Sequence, residues 1–421
     1  MRIISVLLSL SFFVMTQSSS LLASFNFIDR VDGPQSLTVS LLTVDVGSGL
    51  EKRYGHSILR VSDSKLDDEV LLNWGTFDWN QPYFIPRFLL GRLPPYFVSE
   101  SNFNSFIYNY HEYEKRSAFE DTINLSLKQK DKLLRILSKK LQPDQIYFKY
   151  DFFYNNCSSI LRDILNDVLN GKLKEIYDKV PAKQNLRAYV RNNLNEWAFV
   201  TFFLDIMLNS DVDTEISAWV EMFHPLMLLH YLGELPQFDD QGHEIEGTKL
   251  LSKHHLIVQG DIYPSSSINM FLVVSIISFL MLGFFIVLIR KKPVYACHSL
   301  SSFCIGWGFL SGLLGTLLLA GWMISNHHML YHNANLLVFL PPDFAFLTLG
   351  LQYKKQKFQY NSAIFYYIIA KMIALLIFVT MALLNIFTQD VSNVLMYLTP
   401  VQGLFLGLIL FLFFQARKQR G

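Results

Sequence analysis

Hydrophobic residues are unevenly distributed along the chain, and their spacing predicts a membrane-embedded C-terminal half. After about residue 268 they form five runs, each close to the roughly 20 residues that a helix needs to cross a bilayer. The runs cover residues 268–289, 300–323, 335–352, 361–386 and 394–415. Pro341, Pro342 and Asp343 interrupt the third run, and such residues are tolerated at membrane depth only against protein or water. We therefore expect about five transmembrane helices, the third of them broken.

Shorter patterns predict a mixed α and β region before the membrane part. Apolar and β-branched stretches at residues 37–46, 57–61 and 70–74 predict three or more antiparallel strands. Ser126 and Gln129 form a capping box before a helix that runs to about Leu141. Residues 237–263 are rich in charge, glycine and proline, which indicates a linker into the membrane.

A further helix, beginning at Cys157, carries the most informative cysteine. Asn156 is a favourable N-cap residue and Gly171 a favourable stop. Between them lies the apolar stripe of an amphipathic helix: Ile160, Leu161, Ile164, Leu165, Val168 and Leu169. Unpaired N–H groups in the first helical turn favour a thiolate, so Cys157 is placed as a nucleophile would be. The alternative is that Cys157 only packs there, since free cysteine is commonly buried.

Charge and the N-terminus predict how the chain lies relative to the membrane. Residues 1–24 have the basic, apolar and small-residue order of a signal peptide. Basic clusters at residues 290–292, 354–357 and 417–420 belong on the cytoplasmic side. We expect three parts: a signal peptide at 1–24, an exported domain at 25–262 and a transmembrane helical domain at 263–421.

Composition narrows the range of partners. The chain has 421 residues, is 51% hydrophobic and carries a net charge of +1, with a mean hydropathy of +0.26. This balance indicates a membrane protein and gives no reason to expect a nucleic-acid partner. Of the three cysteines, Cys157 is the one predicted to be exported. A lone thiol in an oxidising compartment favours a reactive role.

His56 is the candidate partner of the thiol. It begins the second predicted strand directly after Gly55, and a strand histidine alone is more often a structural group. A Cys–His pair supplies a nucleophile and a proton acceptor, which is the minimum for covalent acyl transfer. Asn73 or Asp78 could orient the imidazole. The order of strand histidine followed by helix-start cysteine resembles that of permuted NlpC/P60-like enzymes of the lecithin:retinol acyltransferase type, which implies a papain-like antiparallel sheet with packed helices.

A second resemblance covers nearly the whole chain. The segments that carry it are SLLTVDVGSG, RYGHSILRV, LNWGTFDW, RFLLGRLPPYF, YDFFYNNCSSILRD and SNHHMLYHNANLLVFLPPD. In order and spacing they resemble the Lnb family of bacterial lipoprotein N-acyltransferases. The resemblance implies a multi-pass inner-membrane enzyme with a periplasmic catalytic domain. It implies Cys157 as nucleophile, His56 as base and Asn73 as orienting residue, with a diacylated lipoprotein as acceptor. We expect a phospholipid acyl donor and no cofactor, and the alternative source of the chain is the lipoprotein itself.

The loop at residues 325–335 is the other concentration of polar side chains. Topology places it at the outer membrane surface, where His327, His328, Asn333 and Asn335 are expected to bind the substrate's head group. His328 and His332 are four residues apart, but no carboxylate completes a zinc pattern, so we expect no metal.

Two other classes of function stay open at this point. A membrane-anchored cysteine peptidase or amidase would use the same Cys–His pair, but it would have no use for four further spans. A transporter or sensor with a non-catalytic exported domain would tolerate replacement of Cys157.

Overall fold

The computed structural model describes residues 26–78, 82–92, 95–261, 268–291, 293–355 and 361–418. It has an α+β N-terminal region followed by a helical C-terminal region, as the patterns predict. The predicted signal peptide, residues 1–24, lies outside the described residues.

An antiparallel sheet forms the centre of the N-terminal region. Its seven strands within the described residues are in the order β6-β4-β3-β2-β1-β5-β9. The two remaining strands, β7 and β8, pair with each other. The bounds are β1 Leu37–Val44, β2 His56–Asp63, β3 Asp68–Thr76, β4 Tyr96–Ser101, β5 Ala118–Ile123, β6 Tyr147–Phe148, β7 Gln237–Phe238, β8 Glu244–Ile245 and β9 Leu251–Val258.

Helices cover both faces of this sheet and then form the C-terminal region. Those of the N-terminal region are α1 Asn26–Arg30, α2 Phe84–Leu89, α3 Phe103–Tyr108, α4 Leu127–Lys140, α5 Cys157–Val168, α6 Lys172–Tyr177, α7 Leu186–Asn193, α8 Ala198–Met207, α9 Ala218–Glu221 and α10 Pro225–Glu234. Those of the C-terminal region are α11 Met270–Lys291, α12 Pro293–Ile324, α13 Ala345–Lys354, α14 Ser362–Leu383 and α15 Thr399–Lys418. Short 3-10 turns occupy Leu50–Lys52, Ser210–Val212, His328–Leu330, Ala334–Leu337 and Pro341–Phe344, and π-helical turns occupy Asn109–Tyr113 and Val394–Leu398.

Helix α5 begins at the predicted residue for the predicted reason. The Asn156 side chain accepts hydrogen bonds from the backbone N–H groups of Ser158 and Ser159, which have no partner within the helix. The apolar stripe of α5 is buried in the main core, against strand β2 and helix α4. The capping box of Ser126 and Gln129 likewise opens α4. Both helices are therefore confirmed.

The prediction that residues 237–263 form only a linker is wrong. Within them, β9 pairs with β5 and forms one edge of the central sheet. Its middle residues are exposed, and lysine and histidine are typical of an edge strand that must not pair further. The polar composition that indicated a linker is thus the composition of a sheet edge.

Among its described residues, the C-terminal region contains four helices long and apolar enough to cross a membrane, or five spans if one bent pair is counted as one. That pair, His328–Leu337 with Pro341–Lys354, is bent by 54°. The break coincides with the predicted proline pair. Asp343 is fully buried at the break, where Tyr367 donates a hydrogen bond of 2.5 Å to it and Lys371 forms an ion pair with it.

Two asparagines join the regions at the C-terminal end of α8. Asn333 donates to the carbonyl oxygens of Ile206 and Met207 at 3.0 and 2.8 Å, and Asn335 donates to Ile206 at 2.9 Å. The last carbonyls of a helix lack partners within it, so these amides satisfy groups that would otherwise be buried unpaired. Arg191 of α7 adds an ion pair with Asp390 at 2.7 Å.

Candidate active site

Three neighbouring elements bring the predicted catalytic side chains together. His56 is the first residue of β2, Asn73 lies in the adjacent strand β3, and Cys157 is the first residue of α5, which packs on β2. At Gly55 the backbone has φ +79°, and a Cβ there would lie 2.7 Å from the carbonyl oxygen of Val44. Only glycine fits this approach, which fixes where β2 begins.

Asn73 orients the imidazole. Its side-chain oxygen lies 2.7 Å from Nε2 of His56. Because an amide oxygen only accepts hydrogen bonds, Nε2 carries a proton, and Nδ1 is left for the thiol. Asn73 in turn donates to Thr76, whose hydroxyl lies 2.5 Å from that of Ser99 on β4. The ring is therefore held by a chain of hydrogen bonds across two strands.

The histidine activates the thiol electrostatically. Cys157 is only 8% exposed, and burial alone would raise the pKa of its thiol. The charge of His56 and its hydrogen bond, with smaller contributions from Ser57 and Ser158, outweigh burial and lower the pKa of Cys157 to about 7. Burial correspondingly disfavours the imidazolium, but Cys157 and Asn73 outweigh it and raise the pKa of His56 above its ordinary value. The pair can therefore exist as thiolate and imidazolium near neutral pH.

A β-bulge at Gly75 makes room for this pair. The register between β3 and β4 shifts between Trp74 and Thr76, so Gly75 is the extra residue. A Cβ on Gly75 would lie 3.3 Å from Cε1 of His56, 3.6 Å from the side-chain oxygen of Asn73 and 3.9 Å from Cβ of Cys157. Sequence reasoning missed Gly75. The available signal was a glycine directly after a predicted strand, since glycine in or next to a strand often marks a bulge or a close approach.

Two further contacts that sequence reasoning missed fix the helix bearing the thiol. The hydroxyls of Ser57 and Ser158 are 2.9 Å apart and connect β2 to α5. The side-chain N–H group of Asn156 donates to the carbonyls of Phe152 and Phe223 at 2.8 and 2.9 Å. The Ser57–Ser158 and Asn156–Phe223 bonds join residues far apart in sequence, so no local pattern predicts them.

The remaining predicted residues divide into two groups. Asp78, the other candidate for orienting the ring, is exposed, and Asn73 takes that position. His327 and His328 are exposed in the outer loop, with Nε2 of His327 2.8 Å from the carbonyl oxygen of Phe88 and the His328 ring 6.3 Å from that of Tyr154. His327 therefore contacts α2, and His328 lies near the segment that leads into α5. Their binding of substrate stays a prediction.

Asn333 and Asn335 are 3% and 0% exposed, and their side-chain N–H groups donate to carbonyl oxygens at the end of α8. These contacts account for both residues as parts of the junction between the regions. A role in substrate binding stays a prediction for them as well. Within the described residues, no group of three or more His, Cys, Asp or Glu side chains is placed to hold a metal ion.

Comparison with known proteins adds one finding to this geometry. Neither a curated protein nor a solved structure matches the chain. Residues 25–191, which contain His56, Asn73 and Cys157, match the family model of the Lnb N-terminal periplasmic domain. Together with the four or five candidate spans, this match is consistent with an Lnb-family protein that is multi-pass in the membrane and has a periplasmic N-terminal domain.

Proposed function

We propose that this protein is a lipoprotein N-acyltransferase of the bacterial inner membrane. It moves a fatty acyl chain from a phospholipid to the N-terminal cysteine amine of a diacylated lipoprotein, through a thioester on Cys157. The observation that carries the proposal is the hydrogen-bonded arrangement of Cys157, His56 and Asn73, in which the thiol has a pKa of about 7. The similarity to the Lnb periplasmic domain supports the choice of acyl transfer over peptide hydrolysis.

In the first half-reaction the Cys157 thiolate attacks the ester carbonyl of the donor. The carbon–oxygen bond of the ester breaks, and His56 gives its Nδ1 proton to the departing alkoxide, which leaves as a lysophospholipid. Cys157 then carries the acyl group and His56 is neutral. Nε2 of His56 keeps its proton throughout, because Asn73 accepts a hydrogen bond from it.

In the second half-reaction the lipoprotein amine attacks the thioester carbonyl. Neutral His56 takes one proton from the amine, the carbon–sulfur bond breaks, and the thiolate and imidazolium are restored. The product is an amide, and the sequence of steps consumes no cofactor. The backbone N–H group of Ser57 and the dipole of α5 favour negative charge at the sulfur.

The position of the site supports lipid substrates. Residues 325–335 connect the ends of candidate spans and contact the domain that carries Cys157. Both the donor ester and the lipoprotein N-terminus lie at a membrane surface, so neither substrate has to leave the bilayer.

The direct test is acyl transfer by the purified full-length protein. Vesicles of phospholipid and a synthetic diacylated lipopeptide are incubated with the protein, and the lipopeptide is analysed by mass spectrometry. We expect a mass increase of one acyl group on the N-terminal amine, and Cys157→Ala and His56→Ala should each reduce its rate at least about 1,000-fold. Cys304→Ala is the matched control, because Cys304 is buried in α12 within the C-terminal core. Cleavage of the lipopeptide backbone without acylation would contradict the proposal and indicate a peptidase.

A further inference from the structure

Five aromatic side chains form a continuous row that begins beside the candidate nucleophile. We call Tyr150, Tyr96, Phe77, Phe84 and Phe88 the aromatic row. Successive ring centroids are 4.2, 4.9, 5.6 and 6.4 Å apart in that order. The residues come from three separate stretches of the chain, so their succession is a product of the fold.

The inner end of the row lies at the thiol. A Cβ on Gly75 would lie 3.9 Å from Cβ of Cys157. The bulge at Gly75 borders Phe97 of β4, the neighbour of Tyr96 in that strand. In keeping with this placement, burial and the charge of Cys157 raise the pKa of Tyr150 well above its ordinary value. Tyr96, which stacks on Tyr150, is 7% exposed.

The outer end of the row lies at the candidate membrane spans. The Phe88 ring is 6.3 Å from that of His327. Helix α2, which carries Phe84 and Phe88, is held against the outer loop by hydrogen bonds. The carbonyl of Phe88 lies 2.8 Å from Nε2 of His327, and that of Leu90 accepts from the backbone of Asn326 at 2.8 Å.

Exposure is greatest at the outer end of the row. Tyr150 is half-buried, Tyr96 is 7% exposed, Phe77 and Phe84 are half-buried, and Phe88 is 49% exposed. Tyr83, which precedes α2, is 80% exposed. A row that served only as core would be buried along its whole length. An apolar surface that is most exposed beside the candidate spans and leads inward to a nucleophile instead fits a long apolar ligand that enters from the bilayer.

We infer that the aromatic row binds one acyl chain of a membrane phospholipid and leads its ester to Cys157. This inference rests on the proposed acyl transfer and adds the residues that select a long-chain donor. The outer rings, Phe84 and Phe88, contact the distal part of a long chain. A short chain reaches only Tyr150 and Tyr96.

The test compares two donors and two variants. The probes are vesicles of dipalmitoyl phosphatidylglycerol and a solution of dihexanoyl phosphatidylglycerol, each incubated with full-length protein in the absence of lipoprotein. The rate of thioester formation on Cys157 is measured by mass spectrometry. The double variant Phe84→Ala, Phe88→Ala removes the two outer rings and keeps the backbone carbonyl that lies against His327. Phe199→Ala is the matched control, because Phe199 is 74% exposed on α8 and lies outside the row.

We expect the double variant to lower the rate with the dipalmitoyl donor about 10-fold, since burial of methylene groups against the two rings is lost. Its rate with the dihexanoyl donor, and both rates of Phe199→Ala, should stay at the wild-type level. An equal fall in the rate with both donors would mean that α2 has only a structural role. An unchanged rate with both donors would mean that the acyl chain does not bind to the aromatic row. A wild-type thioester that forms only when lipopeptide is added would make the lipopeptide the source of the chain, against this inference. Absence of any thioester from the wild type under all these conditions would instead reject the proposed function itself.

Discussion

At the scale of single residues, the chemistry depends on transfer of the thiol proton of Cys157 to the imidazole of His56, which Asn73 orients. The hydrogen bond from His56 to Asn73 favours the imidazolium, and the imidazolium in turn favours the thiolate. Removal of the amide should therefore weaken both partners of the ion pair. The reactive form should exist over a narrower range of pH.

Asn73→Ala tests this coupling. Loss of its hydrogen bond lowers the pKa of His56, and a less cationic ring raises the pKa of Cys157 above about 7. In the pH profile of thioester formation, the acid limb follows the pKa of Cys157 and should shift to higher pH. The alkaline limb follows the pKa of His56 and should shift to lower pH. The rate at the optimum should fall about 10- to 100-fold. The measurement is the rate of Cys157 acylation from pH 5 to pH 10.

The control for that experiment is Asp78→Ala, which removes the other side chain that spacing alone allowed. Asp78 is exposed, so its profile should match the wild type. A profile for Asn73→Ala that falls in height with both limbs in place would mean that Asn73 does not act through the ionisation of the pair.

Spacing could predict Cys157 and His56, because each stands next to a recognisable start of a helix or strand. It could not choose between Asn73 and Asp78, since that choice depends on how β3 pairs with β2, and on β3 ending at Thr76, before Asp78. Pairing between strands is not visible in one stretch of sequence.

At the scale of elements, buried charges stabilise the break in the third span. Asp343 accepts a hydrogen bond from the backbone of Leu340, and Lys371 of α14 donates to the carbonyl of Val338 at 3.0 Å and to Asp343. A break in a membrane helix leaves backbone N–H and C=O groups without intrahelical partners, and each unpaired group at membrane depth costs several kcal/mol. The ion pair therefore stabilises the break and is not surplus charge.

Lys371→Met tests the role of this pair. The change leaves Asp343 buried without its cation, and loss of one partner of a buried pair typically costs about 3–5 kcal/mol. The detergent-solubilised protein should unfold at a clearly lower temperature than the wild type. Lys354→Met, which removes an exposed lysine, should change the unfolding temperature little. Equal unfolding temperatures for Lys371→Met and the wild type would contradict the stabilising role of the pair.

Prediction of helices and strands succeeded where the local sequence contained the whole signal, and failed where the structure depends on a distant partner. Helices α4 and α5 carry their own caps and stripes, so their bounds follow from the sequence. Strand β9 has few buried residues of its own, and its structure depends on β5 beside it. The aromatic α2 likewise gains its place from the loop at residues 325–335.

At the scale of the whole molecule, the N-terminal region is fixed to one end of the helical region. Asn333 and Asn335 complete the end of α8, and Arg191 pairs with Asp390. The loops that hold these partners, residues 325–335 and 388–393, must then lie on the same side of the membrane as Cys157. The positive-inside pattern of the sequence predicts the same arrangement.

Cysteine accessibility tests this topology. In a background with Cys157→Ala, Cys297→Ala and Cys304→Ala, a cysteine introduced at Thr388 should react with a membrane-impermeant maleimide in intact spheroplasts. A cysteine introduced at Lys355 should react only after the cells are lysed. Both positions are exposed, so access is governed by the membrane. Labelling of the Lys355 position in intact cells would place the basic cluster outside and contradict the arrangement.

The contacts that fix the two regions could not be predicted from the sequence. The loop at residues 325–335 was recognised as polar and outward-facing, but a polar side chain that caps a distant helix has the same local appearance as one that binds a ligand. Only the fold shows that Asn333 and Asn335 bind the end of α8 while His327 and His328 remain exposed near Phe88 and Tyr154.

The most direct test of the account is to trap the acyl-enzyme. Purified full-length protein is incubated with phospholipid vesicles and no lipoprotein, and its intact mass is measured before and after hydroxylamine treatment. We expect a mass increase equal to one fatty acyl group, removed by hydroxylamine and located on the peptide that contains Cys157. It should be absent from Cys157→Ala and present in Cys304→Ala. A stable acyl group on any other residue, or an unmodified Cys157 in protein that still acylates lipopeptide, would contradict a thioester mechanism at this site.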